Sequence, residues 1–163
     1  MVTRIRDRAS AHGDRHVAYH ETAHAIVAHL LGLDVVSISV DDGQMVTRQD
    51  DRSHQLEDGN DDVMGEDVDS MMKIVKVTLA GFLGERLSLG SSIPGSERLD
   101  IEKANALLRR MKGRKGQGMA LQKEVAGLLE EHKATLTLIA EKILEERSMT
   151  GEGFRKFFAQ PAE

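Results

Sequence analysis

Hydrophobic positions follow two rhythms along this chain, and each predicts a different kind of element. Between His16 and Leu31 the residues Val17, Ala18, Ala25, Ile26, Val27, Ala28, Leu30 and Leu31 leave little polar circumference, which predicts a buried helix. Gly32 stands where a helix-ending glycine is expected. The stretch "DVVSISV" then alternates Val36, Ile38 and Val40 against Ser37 and Ser39, and "DDG" turns it into "QMVTRQ", predicting a β-hairpin. Helical rhythm returns from Met71 to Leu89, apolar on nearly every side, as a central buried helix in which Gly81 and Gly84 permit close approach of a neighbour. Pro94, between glycines in "GSSIPGS", breaks it.

A further helix is predicted from Glu97 to Met111, stopping at the connector "KGRKGQG". A long pattern from Met119 to about Arg147 carries Leu121, Val125, Leu128, Ile139 and Ile143, and its length predicts a break near His132. A last short helix would hold Phe154, Phe157 and Phe158 against the core. No internal repeat stands out. The expected fold is mainly α: a helical bundle with a small β-hairpin next to the first helix, in a single domain over residues 1–163, a length sufficient to bury a sizeable core.

Charge changes this picture at one place. Asp50 to Asp69 holds nine acidic residues against Arg52 alone, a local charge of -8 in a chain of net -5, and is expected to be a mobile acidic loop. Lys and Arg are scattered elsewhere and aromatic residues make up 3% of the chain, so nucleic acid is not an expected partner. There is no cysteine, which excludes disulfides, thiolate metal sites and a cysteine nucleophile and suits a reducing cytoplasm. No apolar run is long enough for a membrane span, and no secretion signal is visible. A cytoplasmic location is the expectation.

The candidate chemistry lies in the first helix, where His20, Glu21 and His24 form HExxH as "HETAH". At about 100° per residue, positions four apart are roughly 40° apart, so both imidazoles project from one face and can grip one ion. With no thiolate available, zinc held by nitrogen and oxygen ligands fits. Glu21, between the histidines in angle, would take the proton of a water activated at the metal as that water attacks a carbonyl. With seven histidines and fourteen glutamates, about 0.03 such motifs are expected by chance. His29 lies about 140° from His24 and 180° from His20, on the wrong face. His12, His16, His54 and His132 have no motif support.

A catalytic zinc usually has three protein ligands. In the Glu97–Met111 helix Asp100 falls in line with Ala104, Leu107, Leu108 and Met111, so this short acid points inward and leads as the third ligand, with Glu97 next. The competing reading makes Asp100 an early-turn acid favoured by the helix dipole. Glu102 aligns with the more polar side. Glu85 could hydrogen-bond a ligating imidazole, as metal-bound histidines usually require, or pair with an arginine such as Arg86. The GxxxxG spacing of "GRKGQGMA" continues with Met119 and Ala120 where a phosphate loop needs Lys and Ser or Thr, so it is not a nucleotide site.

The blocks "VAYHETAHAIVAHLL", "LAGFLGERLSLG", "ERLDIEKANALLRRM" and "LLEEHKATLTLIAEKILEERSMTGEGF" resemble, in order and style, the peptidase domain of FtsH-type (AAA-family) zinc metalloproteases. The resemblance covers most of residues 16–158. It implies an FtsH-like, mainly helical zinc endopeptidase domain in which His20 and His24 bind zinc, Glu21 is the general base and Asp100 is the third ligand. Thr22 and Ala23 replace the family's usual Ala-Gly pair, and "KGRKGQG" is much shorter than the family's segment there. No Walker motif is present and HETAH begins at residue 20, so the family's ATPase module and membrane helices are expected to be missing.

The expected function is a zinc-dependent metalloendopeptidase acting on polypeptide substrates, either on unstructured chains alone or with a separate ATPase or as a homo-oligomer. The alternative is a zinc-stabilised, catalytically weak binding or adaptor module derived from such a peptidase.

Overall fold

The computed structural model describes residues 1–4, 13–48 and 66–159. Six helices and four strands follow one another along the described residues: β1 (Val2–Arg4), α1 (Gly13–Leu30), β2 (Val35–Ser39), β3 (Gln44–Thr47), α2 (Glu66–Leu89), α3 (Ser96–Arg109), α4 (Gly118–Glu131), α5 (Lys133–Glu146), β4 (Ser148–Thr150) and α6 (Gly151–Arg155). The protein is mainly helical with one small antiparallel sheet, as the hydrophobic rhythm predicts.

Every residue of α1 from Val17 to Ala28 is buried, so the predicted apolar circumference is matched by enclosure on all sides. Helices α2 and α5 and the sheet pack around it. Its end is set locally. Gly32 takes φ 82°, its N–H donates to His29 O (3.0 Å) and Leu33 N–H donates to Ala28 O (2.9 Å), satisfying two carbonyls of the last turn. Helix α2, expected at the centre, packs on α1, α3 and α4. It starts earlier than Met71: residues 66–69 of the acidic stretch belong to the helix, and the rest of that stretch lies outside the described residues.

The expected hairpin is the middle of a four-stranded sheet in the order β1-β3-β2-β4, all neighbours antiparallel. Strands β1 and β4 were not foreseen, because a three-residue strand is too short to display period-2 alternation. The inward face differs as well. Val35, Ile38 and Val40 are buried while Val36 is 43% exposed, because an irregularity between Val35 and Ser37 shifts the register against β3 by one residue. The long C-terminal pattern divides at His132, as its length predicts, and both halves turn their apolar stripes inward. Helix α6 stops at Arg155, so Phe154 is helical and buried while Phe157 and Phe158 follow in turns and pack at the core's edge.

The two glycines of α2 sit where α1 crosses it. A Cβ on Gly84 would lie 2.3 Å from Ala23 Cβ, far inside contact distance, so glycine there sets how near the helices come. The Gly84→Ala variant should lose about 1–3 kcal/mol of stability by overpacking a buried crossing. Thermal unfolding should show a midpoint several degrees lower; an unchanged midpoint would refute the close crossing.

A candidate metal centre between two helices

The crossing determines what surrounds the HExxH residues. Contacts run in opposite order along the two helices, with Val77 opposite His24, Gly84 opposite Ala23 and Glu85 opposite His20 and His16, so α1 and α2 are antiparallel. His20, Glu21 and His24 are all buried, and one ligand atom from each lies within 4.8 Å of the others. The helical arithmetic is therefore met: both imidazoles occupy one face, ring centroids 4.6 Å apart. His29 is turned away and packs on Phe154 and Phe158.

Each histidine has one nitrogen committed and one aimed. His24 Nδ1 donates to the Val77 carbonyl (2.6 Å), and His20 Nδ1 donates to Glu85 Oε1. A carbonyl can only accept, and Glu85 accepts too, so both rings carry the proton on Nδ1 and keep the Nε2 lone pair. Those two Nε2 atoms converge on the space that Gly81 leaves empty: a Cβ there would stand 2.3 Å from His20 Nε2 and 2.5 Å from His24 Nε2. Both nitrogens thus lie near metal-bonding distance of a single point, about 2.0–2.1 Å being usual for zinc.

Glu85, one of the two roles left open by the sequence, is fully buried and holds the imidazoles. Besides His20 it accepts from His16 Nδ1 (2.8 Å) and from the Ile93 N–H (2.8 Å). Arg86 instead pairs with Glu97 (3.2 Å), which removes Glu97 as a rival inward acid. His16 was passed over for want of a motif, although it stands four residues before His20 and so shares that helix face. The spacing His16, His20, His24 was the available signal.

Asp100 is carried by the second turn of α3, on the stripe with the buried Ala104, Leu107, Leu108 and Met111. Its Oδ2 lies 3.9 Å from His20 Nε2, just outside the tight His20, Glu21, His24 cluster. Glu102, on the polar side, faces Arg98 (3.8 Å). The inward and outward acids of α3 are thus sorted as periodicity predicts.

Burial dominates the electrostatics. His20 is pushed down to about 3, first by desolvation and then by His16 nearby, and His24 is lowered by desolvation and by His20. Both rings are neutral, the form that binds a metal. Glu21 is pushed up to about 8, mainly by burial, with the charges of Asp100 and Glu85 adding and the Thr3 hydroxyl opposing. Thr3 Oγ1, from β1, donates to Glu21 Oε2. Glu21 Oε1 has no hydrogen-bond partner, which is costly for a buried carboxylate oxygen.

Two lone pairs aimed at one void, the Glu21 carboxyl beside it with one orphaned oxygen, and Asp100 close by are what a divalent cation would satisfy. The donor set is nitrogen and oxygen, consistent with zinc and with the absence of cysteine. No protein-family model matches the sequence, and a search of curated proteins finds no significant relative. Among the described residues, no helix is long and apolar enough to cross a membrane.

If the void above Gly81 is the ion's place, filling it should expel the ion. The Gly81→Ala protein should purify with less than about a tenth of the parent's metal, measured by elemental analysis under non-chelating conditions. Equal metal in variant and parent would place any ion elsewhere.

Proposed function

We propose that this chain is a zinc-dependent endopeptidase domain of the FtsH type, with His20, His24 and Asp100 as ligands and Glu21 as general base. The convergence of the two Nε2 atoms on the space over Gly81, with the Glu21 carboxyl beside it, carries this reading. It is supported by the resemblance of the HETAH, LAGFLGE and LDIEKA blocks, which contribute His20, His24, Glu21, Gly81, Glu85 and Asp100 to one place in the fold.

When bound, zinc would polarise a peptide carbonyl and make water acidic enough to be activated near neutral pH. The chain's own groups supply the rest. Glu21, whose Oε1 has no hydrogen-bond partner, accepts the proton of the attacking water in its ionised form, which a bound cation would favour, and returns it to the leaving amine nitrogen. Glu85 and the Val77 carbonyl keep the two rings in the Nδ1–H tautomer, so the Nε2 lone pairs stay directed. Asp100 would add a carboxylate from a different helix, α3, its Oδ2 standing 3.9 Å from His20 Nε2.

Two substitutions separate binding from chemistry. The parent should carry about one zinc per chain, and His24→Ala should lose most of it, because a ligand is removed from a four-coordinate site. Glu21→Gln should retain zinc and lose cleavage of casein or an unstructured peptide by about 100-fold or more, the order expected for removing a general base. Unchanged turnover in Glu21→Gln would exclude Glu21 from the role. Zinc-loaded parent protein that cleaves nothing would favour the binding-module alternative.

A further inference from the structure

The site just described is closed. His20, Glu21 and His24 are 3%, 1% and 2% exposed, so no polypeptide reaches the Glu21 carboxyl in this arrangement. Three elements close it: α2 behind, α3 through Asp100, and β1 through Thr3. Helices α2 and α3 are anchored by long buried stripes, whereas β1 is a three-residue edge strand held mainly by its pairing with β3. Its register is Val2 opposite Val46, Thr3 opposite Met45 and Arg4 opposite Gln44, with Thr47 N–H donating to Met1 O (2.9 Å).

The Thr3 side chain has an unusual position for a strand residue. Its hydroxyl donates to Glu21 Oε2 and accepts from the Met45 N–H (3.2 Å), so it bridges the sheet edge and the acid. That is where a peptide main chain would have to lie to meet both β3 and Glu21. We propose that β1 is an internal occupant of the substrate strand's place: an extended polypeptide binds antiparallel to β3 by displacing β1, its main chain taking the Met45 N–H and its residue at the Thr3 register facing Glu21. The identity of the ligand rests on the peptidase reading above.

Strand exchange suits the energetics. Replacing one antiparallel strand by another keeps the ladder hydrogen bonds of β3 nearly constant, so the exchange costs little in main-chain pairing. The tethered strand competes at high effective concentration, so the closed state is the resting state and a ligand in excess is needed to displace it. Displacement also frees both oxygens of Glu21, one of which Thr3 now holds.

A reversible lock tests this. In the Val2→Cys/Val46→Cys variant the thiols face each other across the pair, on the strand face away from Glu21, and the chain has no other cysteine. Diamide closes the bridge without adding a metal, and a phosphine reopens it. Zinc-loaded protein in each state is mixed with a fluorescein-labelled, unstructured casein peptide, and both binding anisotropy and cleavage are followed. Binding should be about tenfold or more weaker in the bridged state and recover on reduction. Equal binding in the two states, including none in either, overturns the proposal. A difference in binding with no cleavage in either state upholds β1 as the occupant and refutes the peptidase reading instead. Where the bridge does not form, hydrogen exchange on the unmodified chain reads the same event: saturating peptide should strip protection from the Val2–Arg4 amides, and unchanged protection overturns the proposal.

Discussion

The close crossing of α1 and α2 is the constraint from which the rest of the site follows. Helix axes ordinarily pack about 8–10 Å apart, at a distance set by the side chains between them. Here Gly81 and Gly84 present backbone instead, and Ala23 is the matching small residue on α1. The imidazoles of α1 consequently lie against the main chain of α2. From there His24 reaches the Val77 carbonyl, and the Glu85 carboxylate reaches His20 and His16. A larger side chain at either glycine would separate these partners before it disturbed the helices themselves.

Placing His20, His24, Glu21 and Glu85 in a core is expensive unless each polar atom is satisfied. The protein meets most of that demand within the crossing. Glu85 serves three donors, and each ring nitrogen Nδ1 has an acceptor. What remains is concentrated at one point: two Nε2 lone pairs and Glu21 Oε1. Desolvation keeps the histidines neutral, so no imidazolium offsets the buried acid, and it lifts Glu21 toward its protonated form. The same enclosure that creates this demand also closes the site, and β1 is the part of the enclosure held with the fewest buried side chains.

Much of this was legible in the residues. The shared face of His20 and His24, the exclusion of His29 and the inward turn of Asp100 all come from rotation about a single helix axis, which spacing sets directly. The break at His132 and the glycine-ended α1 are likewise local. Alternation groups Val36 with Ile38 and Val40, and the irregularity at Val35–Ser37 separates it from them; the signal for that lies in the pairing partner and not in the strand itself. His16 escaped because its role exists only through Glu85, 69 residues away. Strands β1 and β4 escaped because three residues carry no rhythm.

By itself, then, the sequence determined which donors exist and at what angle each leaves its helix, since side-chain direction about a helix axis depends only on residue spacing. Only the tertiary structure decided the distances between helices, because these depend on how surfaces from separate parts of the chain pack. It put Glu85 on the histidines and Arg86 on Glu97, brought Asp100 to 3.9 Å from His20, and laid Thr3 of β1 on the Glu21 carboxylate.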